Sequence, residues 1–137
     1  MDTLDKVRLI EIPKVHDERG SLAVIEKDVL PFKIKRIYYL YDVPSDSYRG
    51  GHAHKEQESI IIALSGSFEV IVDDGTSRKR IMLNKPTQGL FISTHIWREI
   101  DNFSSGAVCL VLASTNYNEA EYIRDYDEFC NLKRGAV

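Results

Sequence analysis

The stretch RGGHAHKEQES, residues 49–59, holds two of the chain's four histidines, separated by one small residue. On a β-strand, residues i and i+2 share a face, so His52 and His54 would stand side by side, roughly 6.6 Å apart along the strand. Two glycines precede the pair, and glycine lets a backbone come close to something. Arg49, His52, His54 and Lys55 crowd cationic or protonatable groups into a chain whose net charge is −3. Such a cluster suits an anionic ligand.

Outward from this stretch, short β-rich runs follow one another, punctuated by turn residues. VRLIEI (7–12), SLAVIEK (21–27), KIKRIYYLYDV (33–43), SIIIAL (59–64), FEVIVDD (68–74), RKRIML (78–83), GLFIS (89–93), WREI (97–100) and AVCLVLAS (107–114) all read as strands. HDERG and DVLP mark turns, and Asp74-Gly75 is a hairpin signal. Only the end changes period. From Asn118, an N-cap residue type, Tyr122, Tyr126 and Phe129 recur at helical spacing. Glu119, Glu121, Asp125 and Glu128 fall mostly elsewhere, as on a solvated face. Many short strands and one terminal helix predict an all-β sandwich or small barrel. The 137 residues fit one domain with a real core, without repeats, low-complexity segments or linkers.

Composition narrows the function classes. Net charge −3, a pI near 5.8 and no basic–aromatic run argue against a nucleic-acid partner. The longest apolar run, residues 107–113, is far short of the ~20 residues that span a bilayer. The first residues have no apolar core of a secretory signal. Cys109 and Cys130 are expected as buried thiols, and a cytoplasmic location follows.

Three readings of the histidine pair compete. A metal site would take His52, His54 and a third ligand from a later strand. That slot points to position 98, where Arg98 has no lone pair to give and repels a cation; His95 would need a different turn. The expectation is therefore no metal. A hydrogen-bonded pair with no function is the bland reading. The third reading is acid–base chemistry, since neutral imidazoles on one face can take and return protons near neutral pH. Tyr38 could add a phenol that donates to a developing oxyanion. Of Tyr38 and Tyr39, which face opposite ways, one is expected in packing.

RGSL, IKRIYYLYDV, RGGHAHK, VDDG, WREIDNFS, LVLAS and YIRDYDEF, in this order from about Arg19 to Phe129, resemble the dTDP-4-keto-6-deoxy-D-glucose 3,4-ketoisomerases. The resemblance implies a cupin-type double-stranded β-helix, or jelly-roll sandwich, with a short C-terminal helix. It implies a cofactor-free and metal-free isomerase that moves a ketone from C4 to C3 of a dTDP-linked 4-keto-6-deoxyhexose through an enediol. His52, His54 and Tyr38 would be the catalytic residues. His52 would shuttle the carbon-bound proton and His54 would handle the oxygen-bound one. Arg19, Arg49, Lys55, Trp97 and Arg98 would bind substrate, with Arg19 and Arg49 on the diphosphate. A homodimer would form by exchange of N-terminal strands, here residues 1–13. The alternatives are a dTDP-keto-sugar epimerase and a non-catalytic nucleotide-sugar-binding cupin.

Overall fold

The computed structural model describes residues 2–135. Strand β6 (Ser59–Ser65) shows how the sequence builds the centre. Its SIIIA run does not alternate, because both faces are covered. Ile61 and Ala63 point into the main core, and Ile60 and Ile62 into a second cluster with Phe91, Leu112 and Leu30. The second cluster is closed by Ile25, Val29, Phe32 and Ile34 of the segment that folds over the outside of the sheet.

β6 sits at the middle of a five-stranded antiparallel sheet. Its neighbours are β9 (Gln88–Ile92), flanked by β1 (Arg8–Glu11), and β11 (Val108–Ala113), flanked by β4 (Arg36–Leu40). The facing sheet runs β12 (Tyr122–Ile123), β5 (Arg49–His54), β10 (Trp97–Asp101), β7 (Phe68–Asp73) and β8 (Arg78–Leu83). β7 alternates, with Phe68, Val70 and Val72 inward and Glu69 pairing with Arg80 outside. Two sheets with their inner faces together make the expected jelly-roll sandwich. The turn between β7 and β8 is tied by Asp74, whose carboxylate accepts from the N–H groups of Thr76 and Ser77. No helix among the described residues is long and apolar enough to cross a membrane.

Four local features depart from the sequence reading. HDERG is not all turn: β2 (Lys14–Asp17) and β3 (Gly20–Ala23) form a hairpin exposed on both faces, with Val15 62% and Leu22 59% exposed. Asn118 caps only a 3-10 turn at Glu119–Glu121, accepting from the N–H of Ala120. Tyr122 and Ile123 then pair with His54 and Ala53 as β12, and the helix α1 (Tyr126–Gly135) starts later, where Asp125 accepts from the N–H of Glu128. Glu121 is buried rather than solvated. Sheet pairing outweighed helical spacing because β5 offered Tyr122 and Ile123 backbone partners and a buried seat.

Candidate active site

The glycines ahead of the histidine pair do a job within the sheet. Gly50 and Gly51 have φ of +95° and +63°, and the register between β5 and β10 slips there: Gly50 opposes Glu99, yet His52 opposes Arg98. A Cβ on Gly50 would lie 3.2 Å from the backbone of Arg98 and Glu99. The close approach is thus to the neighbouring strand. The bulge turns His52 and Arg98 to the same inner face.

There they border a cavity of about 280 Å³ between the sheets. Its wall includes Tyr38 from β4, Arg49 and His52 from β5, Arg98 from β10, and Ile61 and Val111 at the apolar floor. Around the mouth stand Arg36, Tyr117, Tyr122 and Arg124. Four arginines and no carboxylate line this space, which favours an anion carrying more than one negative charge.

The two histidines differ. His52 lies 3.2 Å through Nδ1 from the carbonyl oxygen of Gly50, which can only accept, so Nδ1 carries the proton. Its Nε2 is buried and has no partner, leaving a free lone pair. Burial, then the positive Arg98, hold this imidazole neutral, with its pKa lowered to about 3. His54 is wholly buried behind it, ring centroids 4.8 Å apart and nearly perpendicular. Its Nδ1 is 2.6 Å from Glu121 Oε2, and its Nε2 is 3.2 Å from Gln57 Nε2. Burial first, then Arg98, Arg36 and Arg124, hold its pKa well below the ordinary value. Both nitrogens of His54 are therefore committed inside the protein, and it does not border the cavity.

Arg98 is 3% exposed. It donates to the Ile96 carbonyl oxygen at 3.1 Å, makes a long contact to Ser59 Oγ at 3.5 Å, and has an unpartnered Nε. Burial pulls its pKa down to about 10, so it stays cationic at neutral pH. Tyr38 is raised above the ordinary phenol value, mainly by burial, and stays protonated and able to donate. Its neighbour Tyr39 points out, 61% exposed.

The remaining expected residues are not in this cavity within the chain. Lys55 donates to the carbonyl oxygen of Ala120. Trp97 alternates to the outer face of its sheet, against Tyr126 and Phe129 of α1. That face is closed by the helix, which sets the Trp97 ring apart from the residues lining the cavity. Arg19 stands at the tip of the β2–β3 hairpin, its side chain 87% exposed and paired with Asp17. Conversely, Arg36, Tyr117, Tyr122 and Arg124 escaped the sequence reading. Arg36 and Tyr38, two apart on one strand, share the inward face, a signal present in KRIYY. Tyr122 and Arg124 have the same spacing, hidden by reading this segment as helix.

Comparison with known proteins converges on one group. Residues 5–134 match the family described as FdtA: WxcM-like, C-terminal. The TDP-4-oxo-6-deoxy-alpha-D-glucose-3,4-oxoisomerase of Aneurinibacillus thermoaerophilus is 45% identical over 123 residues, 89% of this chain and 88% of that protein. The chain belongs to the FdtA family of sugar 3,4-ketoisomerases. A 3,4-ketoisomerase from Helicobacter canadensis superposes with a TM-score of 0.91 at 50% identity, covering 94% of this chain and 98% of that one. A histidine-to-asparagine mutant of the 3,4-ketoisomerase QdtA from Thermoanaerobacterium thermosaccharolyticum, in complex with TDP-4-keto-6-deoxyglucose, superposes with a TM-score of 0.94 at 40% identity, covering 97% of both chains.

Proposed function

We propose that this protein isomerises a dTDP-linked 4-keto-6-deoxyhexose to the 3-keto sugar, in the cavity around His52. The observation that carries this reading is the buried, unpartnered Nε2 lone pair of His52 beside the buried cation of Arg98. A base and an electrophile in one small cavity are what enolisation next to a ketone needs.

The C3–H bond is acidified because its electron pair delocalises onto the C4 oxygen. His52 Nε2 takes the C3 proton, and the enediolate oxygen at C4 is met by Arg98 and by the Tyr38 hydroxyl. The imidazolium returns its proton to C4. The O3 proton passes to O4, and the ketone closes at C3. One C–H and one O–H bond break and one of each forms, so no redox partner enters. The low pKa of His52 keeps it unprotonated when substrate arrives. The negative enediolate then stabilises the imidazolium beside it, so the basicity needed in the reaction comes from the intermediate. A positioned base supplies about 10²–10⁴ in rate, and an aimed oxyanion donor about 3–4 kcal/mol.

The arginines at the mouth and Arg49 hold the diphosphate. His54 supports His52 from behind rather than touching the sugar. An epimerase working through a histidine–carboxylate dyad would need that dyad at the substrate, whereas His54–Glu121 is sealed behind the wall. We also infer a cytoplasmic homodimer. Cys109 and Cys130 are free thiols. Val15 and Leu22 on the exposed hairpin call for a covering surface. β1 pairs with β9 through Leu9 and Leu90, and exchange of residues 1–13 between two chains would preserve that pairing. Arg19 would then serve the diphosphate as part of the arm.

The test is proton NMR of dTDP-4-keto-6-deoxyglucose with the protein in heavy water. Loss of the C3 proton signal and migration of the ketone are expected. A protein that binds the nucleotide sugar without exchanging C3 refutes the isomerase reading.

A further inference from the structure

Glu121 is the buried carboxylate that the reaction above does not use. It lies on the turn that precedes β12, and the three hydrogen bonds its carboxylate accepts all come from strand β5 and its exit. Oε1 accepts from the backbone N–H groups of Glu56 and Gln57, at 2.7 and 2.8 Å. Oε2 takes the Nδ1 proton of His54 at 2.6 Å. With that proton on Nδ1, His54 Nε2 must accept, and it does so from Gln57 Nε2, which also donates to Ser59 Oγ at 3.0 Å. Gln57 Oε1 in turn accepts from Thr115 Oγ1. The orientation of the Gln57 amide is thus set by an acceptor on the far side of the imidazole.

The immobilised ring has work to do. His54 packs edge-on against both His52 and the cavity-lining Tyr122, with centroid distances of 4.8 and 4.5 Å. The hydrogen bond that steers His52 is a single 3.2 Å contact to Gly50, and the Tyr122 ring also packs on it at 5.0 Å. The direction of its free lone pair therefore depends on the rings packed against it, and His54, in contact with both His52 and Tyr122, is the buried one.

We propose that Glu121 is a positioning residue for the isomerisation: it fixes His54 in the Nδ1–H tautomer, and the fixed ring holds His52 Nε2 toward the substrate. This rests on the role given to His52 above. In Glu121→Gln the shape is kept, but an amide NH₂ faces Nδ1 if the carbonyl end keeps the two backbone donors. The imidazole proton must then move to Nε2, where it meets the Gln57 NH₂ unless that amide flips.

The experiment combines ¹⁵N NMR of the imidazoles, which needs no substrate, with steady-state kinetics. In the parent, His54 is expected as the Nδ1–H form. In Glu121→Gln it is expected as the Nε2–H form, with kcat down about tenfold or more and KM changed by less than about threefold. Because Glu121 acts through His54, the double variant Glu121→Gln/His54→Asn should turn over no more slowly than His54→Asn alone. An unchanged tautomer, a parent-like kcat, or losses that multiply in the double variant each overturn the proposal. If Glu121→Gln does not fold, Glu121→Asp makes the same test: the shorter side chain draws its carboxylate back from His54 Nδ1, so kcat should fall with KM near the parent's, and a parent-like kcat overturns the proposal. A parent protein that never exchanges C3 would instead defeat the isomerase reading and leave the tautomer result standing.

Discussion

Arg98→Met should make this protein more stable and nearly inactive. The guanidinium is 3% exposed, bonds to Ile96 O and, at long range, Ser59 Oγ, and leaves its Nε unpaired. Its pKa is lowered from 12.5 to about 10 by burial. At about 1.4 kcal/mol per pH unit, the fold disfavours this cation by about 3 kcal/mol. Methionine fills a similar length without charge, and replacing buried ions with apolar groups often stabilises by about 1–4 kcal/mol. Losing the two hydrogen bonds costs about 1 kcal/mol each, so the net gain is about 1–2 kcal/mol. For a domain of this size that is a rise in Tm of about 3–8 °C. The same change removes the cation aimed at the enediolate, which should lower kcat by about 10²–10³. Thermal melts at fixed protein concentration and C3 exchange in heavy water measure the two effects. A variant that melts below the parent, or keeps turnover within about threefold, refutes this account of Arg98.

His52→Asn keeps a polar end of similar size but cannot take a proton from carbon, so turnover should fall by about 10² or more, and C3 exchange should vanish with it. Parent-like exchange in that variant would remove His52 from the chemistry. His54, neutral in the fold and lowered below 6.5, leaves the denatured chain to take up its proton first on acidification. Its share of stability is complete above about pH 6.5 and is lost as pH falls below that, at about 1.4 kcal/mol per pH unit. Urea melts between about pH 6 and 4.5 should therefore show a slope reduced by that amount in His54→Asn; an equal slope would contradict the burial argument. Arg49→Lys keeps charge but loses the planar fork, so KM should rise with kcat near normal, and the reverse pattern would put Arg49 at the reacting carbons. For the dimer, Leu9→Cys combined with Leu90→Cys on paired positions should give a disulfide between chains, seen as a dimer on a non-reducing gel, and a purely intrachain disulfide would rule out exchange.

Much of the fold was legible from local chemistry. Strands with strong β-formers and clear turn residues, such as Phe68–Asp73 and Arg78–Leu83 around Asp74-Gly75, fall where their own residues place them. The face shared by His52 with its strand neighbours, and the inward turn of Tyr38 against outward Tyr39, follow from a period of two. The arginine at position 98 was readable as unable to hold a metal because that depends on residue type alone. What tertiary structure decided was every property set by a distant partner. The segment from Asn118 looked helical by the spacing of Tyr122, Tyr126 and Phe129, and β5 captured Tyr122 and Ile123 as strand instead, which buried the Glu121 carboxylate and carried Tyr122 and Arg124 to the cavity. His52 and His54 are equivalent in sequence, two positions apart on one strand. Only packing gives one of them a carboxylate and leaves the other a bare nitrogen, because Glu121 comes from a distant chain segment that the fold, not the local spacing, brings alongside.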